Sequence, residues 1–132
     1  MSLPLLVVDG ANVVGSVPDG WWRDRAAAAV RLRDRLEPLA TAGVAGIPGP
    51  VEVVLVVEGK ARDIPANSTV RIERAPASGD DAVVAVVRTA PAGRRVVVVT
   101  ADRGLRARVA ALGAEILGPS SIPGAPRPPR RT

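Results

Sequence analysis

The chain has 132 residues, 47% of them hydrophobic, with 13 glycines and 13 prolines, which suits one compact domain whose core stands without a disulfide or metal staple. It contains no cysteine and no histidine, which excludes Ser-His-Asp and Cys-His nucleophiles, Cys/His zinc sites and thiol redox chemistry, and leaves carboxylates, amides, hydroxyls, arginines or a bound metal to carry any reaction. Eighteen basic residues, all arginine except Lys60, stand against 13 acidic ones, a formal net charge of +5 that favours partners bearing phosphate.

The apolar start of the chain lacks a basic leader, and Asp9 ends it long before a signal sequence or membrane span could be completed. A soluble, cytoplasmic protein with no membrane partner is therefore expected. Leu5–Val8 is the first of three continuous β-branched or aliphatic runs, with Val51–Val57 and Val96–Val99, each too short for a helix and without polar alternation, as strands buried on both faces read. Between the first two, Trp22–Leu39 carries a long alanine run and places Trp22, Ala26, Ala29, Val30, Leu32, Leu36 and Leu39 on one helical face, with Pro38 near its end. Ala42–Pro50 and Gly59–Ser68 read as loops, and Thr69–Arg74 alternates like an edge strand.

A helix opening at Asp80 or Asp81 carries Val83, Val84, Val86 and Val87. A third runs from Arg103 to Leu112 and is stopped by Gly113, and Ala114–Leu117 supplies the other edge strand. This βαβ rhythm predicts an α/β fold: a mostly parallel sheet of about five strands with helices on both faces. Residues 1–118 form the expected domain. The Pro- and Arg-rich stretch 119–132 offers little to bury and is expected to be a disordered tail.

In such a sheet, ligands gather at the carboxyl ends of the strands. Asp9 directly follows the first strand, Glu58 the second, and Asp102 follows the Arg95–Thr100 strand by one residue, while Asp80 and Asp81 open a helix after Gly79. Carboxylates brought together repel one another unless a cation joins them. Mg²⁺ or Mn²⁺, which prefer oxygen ligands, are the expected cofactors, with phosphodiester hydrolysis as the natural reaction class. Simpler roles stand beside each assignment. Asp80 suits an N-cap, leaving Asp81 as the better ligand; Asp102 can cap the third helix; Glu58 reads equally as solvent-facing or as a support. Asn12 can steady Asp9 or a water, or merely make a turn. Arg25 could reach a phosphate or pair with a local acid, and Arg103 and Arg106 could contact phosphates or be plain solvated arginines. Trp22 matches the core face, whereas Trp21 either staples the helix start or offers a stacking platform for a base. No G-x-G-x-x-G follows the first strand, which argues against a Rossmann cofactor site.

Val7-Val8-Asp9-Gly10-Ala11-Asn12, Gly79-Asp80-Asp81 and Val99-Thr100-Ala101-Asp102-Arg103, in that order and spacing, resemble the NYN domains of the PIN-like nucleases, nearest the YacP-like group, up to about Leu117. The resemblance implies a PIN-like three-layer sandwich whose acidic Mg²⁺ or Mn²⁺ site cuts RNA. Asp9, Asp81 and Asp102 match the acidic positions, with Asp80 belonging to the same pair, and Asn12 matches the asparagine after the first strand. It also implies RNA as partner, at the ribosome in some relatives. One departure is Gly104, where related sequences often carry a second aspartate, so the site would hold fewer metals or hold them weakly. An RNA-binding module with little cleavage and a nucleotide phosphohydrolase using the same carboxylates are the alternatives.

Overall fold

A computed structural model of the chain describes residues 2–124. Five parallel strands form one sheet: β1 (Leu5–Asp9), β4 (Glu52–Val57), β5 (Val70–Arg74), β6 (Val96–Val99) and β7 (Glu115–Leu117), in spatial order β5-β4-β1-β6-β7. The two runs expected at the edges, Thr69–Arg74 and Ala114–Leu117, are the edges. The three aliphatic runs fill the centre, where alternate residues serve opposite faces. On one face Leu6, Val8, Val53, Leu55, Val57, Val97 and Val99 pack against Leu32 and Leu36; on the other Leu5, Val7, Val54, Val56 and Val98 pack against Val83, Val84, Leu105 and Val109. At about 1.5–3 kcal/mol for each fully buried aliphatic side chain, these two layers dominate the stabilisation.

The helices in front of the first face are α1 (Gly10–Gly15), α2 (Arg25–Leu36) and α3 (Leu39–Ala42), while α4 (Gly79–Thr89) and α5 (Arg103–Ala110) cover the second. This is the expected three-layer α/β sandwich. Four details differ from the sequence expectation. The turn foreseen after Asp9 is the six-residue helix α1. It can pass close over β4 only because residue 10 is glycine, since a Cβ there would lie 2.4 Å from the Val56 carbonyl oxygen. The single helix foreseen over Trp22–Leu39 is broken. Gly20, at φ +78°, opens a 3-10 turn at Trp21–Arg23, and Asp24 then caps α2 by accepting the Ala27 N–H at 3.0 Å. The restart puts Trp22 out of phase with the core face, and it is 57% exposed.

Within the stretch foreseen as a loop, β2 (Gly43–Val44) and β3 (Ile47–Pro48) pair antiparallel and send Val44 and Ile47 into the core. The domain also extends past its expected boundary at residue 118. Pro119–Ser121 forms a 3-10 turn, Ile122 is buried in the core, and the Arg35 guanidinium donates to the Ile122 and Pro123 carbonyls at 3.2 Å each. One isoleucine in a proline-rich run gave no periodic signal, yet it had a cavity to fill. The rest of the expected tail, residues 125–132, lies outside the described residues.

Candidate active site

At the carboxyl end of the sheet, β1 delivers Asp9 into the interior, 3% exposed, beside the end of β6. There the fully buried Thr100 donates its hydroxyl to Asp9 Oδ2 at 2.9 Å and accepts the Asp102 N–H at 3.1 Å, so one hydroxyl ties two acidic positions together. Burial pushes the Asp9 carboxyl up to about 6; the Thr100 hydroxyl works against this, the nearby Asp80 charge adds to it, the Asn12 backbone N–H opposes it and Glu58 adds a little more.

Asn12 reaches across from α1, its Oδ1 accepting the Ala101 N–H at 2.8 Å, and so fixes the loop that carries Asp102. Asp102 is the N-cap of α5, accepting the Leu105 N–H at 2.8 Å through Oδ1, and also lines the cleft: the capping role and the site position coexist in one residue. Arg106 braces the same corner by donating from Nε to the Thr100 carbonyl at 2.8 Å.

At the N-terminus of α4 the two aspartates take different places, and neither is the cap. Ser78 is the cap, its hydroxyl accepting the Asp81 N–H at 3.1 Å. With the helix starting at Gly79, Asp80 lines an open cleft of about 280 Å³ together with Asp9, Asn12, Glu58 and Asp102. Asp81 points away instead. Its side chain is 71% exposed and pairs with Arg108 at 3.0 Å. Burial raises the Asp80 carboxyl above its ordinary value, with Asp102 and then Glu58 adding to the rise and Arg108 opposing it. Glu58 bridges β4 to α4, its Oε2 accepting the Gly79 N–H at 3.0 Å; a Cβ on residue 79 would lie 2.8 Å from Oε1 and make the Glu58 carboxylate shift.

Arg103 is exposed at the start of α5. Trp21 and Arg25 lie outside the acidic cleft, lining a second, apolar pocket beside it, with the Arg25 guanidinium 5.4 Å from the Trp21 ring centre. Sequence reasoning missed Thr100 as a working residue. Its signal was a hydroxyl arriving at once after four valines, at the end of a buried strand. Among the described residues, no group of three or more acidic side chains is drawn together as a ready-made metal cage. The arrangement is an open rim of hard oxygen donors around one buried carboxylate. It suits a cation that keeps most of its own water and takes one or two protein carboxylates.

No family model matches the chain, and no curated protein matches it in sequence. Among solved structures it is similar to a mutant form of Rae1 (YacP) from Bacillus subtilis, with a TM-score of 0.64 and 15% identity, covering 89% of this chain and 70% of that one. At that identity the likeness is one of fold. No helix among the described residues is long and apolar enough to cross a membrane.

Proposed function

We propose that this protein is a metal-dependent endoribonuclease of the PIN-like, NYN kind, acting on RNA in the cytoplasm. The observation that carries this reading is the buried Asp9 carboxylate, clamped by Thr100 and facing Asp80, Asp102 and Glu58 across one cleft at the carboxyl end of the sheet. Burial first, and the neighbouring acids after it, raise the pKa of Asp9 and Asp80, and a cation in the cleft would favour their charged forms. The donors are all oxygens, which fits Mg²⁺ or Mn²⁺. Asp9, Asp80 and Asp102 would hold the ion, and when bound it supplies charge neutralisation on the phosphate and a more acidic water.

The chain's own residues set the geometry. Thr100 fixes the rotation of the Asp9 carboxylate, Asn12 holds Ala101 and hence Asp102 in register, and Glu58 anchors the first turn of α4 from which Asp80 projects. The basic balance of the chain supports RNA as the partner, as does the resemblance of its acidic motifs to the NYN domains, with which the α/β fold agrees. Gly104 and the open spacing of the acids favour a second reading, an RNA-binding module with little cleavage.

Incubation of a labelled single-stranded RNA with Mn²⁺ or with chelator decides between them. Metal-dependent cleavage should collapse in Asp9→Asn and Asp80→Asn, both folded by circular dichroism, and persist in Asp81→Asn. Full cleavage by Asp9→Asn overturns the nuclease mechanism. Binding without cleavage by the unaltered chain selects the second reading.

A further inference from the structure

Beside the acidic cleft lies the second pocket, of about 240 Å³, and the two share a wall: Ala11 and Glu58 line both. Its floor is apolar, formed by Val14, Ala29 and Val57, and its side is the half-buried Trp21 indole with the Arg25 guanidinium against it. The core beneath is already closed by aliphatic side chains, and Trp22, the neighbouring indole, stays in solvent. A flat apolar slot walled by an indole and a guanidinium is what an unpaired nucleobase stacks on, and an arginine at its mouth suits the phosphate attached to that base.

We propose that this pocket is a nucleobase subsite, receiving an unstacked base of the RNA strand whose phosphodiester lies in the adjoining acidic cleft. This rests on the nuclease reading for the identity of the strand. The subsite selects single-stranded RNA, because a base inside a duplex presents no free face to Trp21. It also fixes the register of cleavage, because a base seated there sets which phosphodiester reaches Asp9.

The test uses the full chain carrying Trp22→Phe, which leaves Trp21 as the sole tryptophan, in chelator so that no strand is cut. Titration with a short single-stranded RNA should quench Trp21 fluorescence; a duplex of the same sequence, or a strand made abasic throughout, should not. Trp21→Ala should weaken binding of the intact strand roughly 5- to 150-fold, as loss of one stacked base does, with Trp21→Phe recovering most of it. The abasic comparison is made on a protein with Trp21 intact, so it remains decisive if Trp21→Ala folds poorly. Equal quenching by intact and abasic strands, or unchanged affinity in a folded Trp21→Ala, overturns the subsite. Separate cleavage assays with Mn²⁺ keep the two readings apart: cleavage without base-dependent quenching retains the nuclease and rejects the subsite, and base-dependent quenching without cleavage does the reverse.

Discussion

Without a bound cation, the Asp9 carboxylate weakens the folded chain, and the sign of that effect can be measured. Its folded pKa, about 6, stands above the ordinary value of 3.8, so the folded state holds the proton more tightly than the unfolded one. The stability it contributes is fully present below pH 4 and is lost as pH rises through 6. At about 1.4 kcal/mol per pKa unit the loss is up to about 3 kcal/mol, and Asp80, also raised, adds to it with the same sign. In chelator, melting of the unaltered chain should therefore fall between pH 4 and 7. Asp9→Asn, which keeps the acceptor for Thr100, should fall less and overtake it at neutral pH, and Mn²⁺ should close the gap from the other side. A melting curve unaffected by pH in both proteins would remove the strained-carboxylate account. Of the residues at this site, Asp9, Asn12 and Asp102 were legible in the sequence because each stands where a strand has just ended. By the sequence, Asp80 is the expected cap and Asp81 the better ligand, and which of the two lines the cleft depends on which residue caps the helix. Ser78 does so, and a one-residue shift turns a helical side chain by about a quarter of a revolution.

Elements with a strong period or a continuous apolar run were readable, and those made by close approach were not. The central strands declare themselves through β-branched runs, and α4 and α5 through their buried faces. In contrast α1 is six residues long, β2 and β3 two residues each, and all three exist because neighbouring backbone is near enough to support them. Gly10 is the clearest such case, and it supplies a paired prediction. Gly10→Ala must push α1 off β4, costing about 1–3 kcal/mol as overpacking does and moving Asn12 away from Ala101. Gly15→Ala, at the other end of the same short helix, meets only a Trp21 ring carbon at 3.8 Å. It should be neutral or stabilising by up to about 1 kcal/mol. Denaturant unfolding of the two variants checks this, and equal effects would show that α1 is not pressed against the sheet.

For the molecule as a whole, the contribution of Ile122 to the core and that of the C-terminal arginines to the positive charge are separable. Cutting the chain after residue 118 removes Ile122 and should cost about 2–5 kcal/mol, as emptying a core site does, whereas cutting after residue 124 keeps every described core residue. The longer product still loses Arg127, Arg130 and Arg131. If those arginines meet RNA, its binding should depend less steeply on salt, by about 0.7 in the log-log slope for each single-strand phosphate released. An unchanged slope would confine the RNA contact to residues 1–124. The topology adds a consequence in time. β1 is the first strand made and the middle one in space, flanked by β4 and β6, so both of its edges stay bare until much later segments arrive. Asp9 and Thr100, 91 residues apart along the chain, meet only after that wait. A sheet closed by such distant partners assembles slowly, and on a chain emerging from its N-terminus the acidic cleft is among the last features to exist. A nascent chain halted before β6 is translated would carry Asp9 on an unfinished strand, with nothing yet in place to orient it.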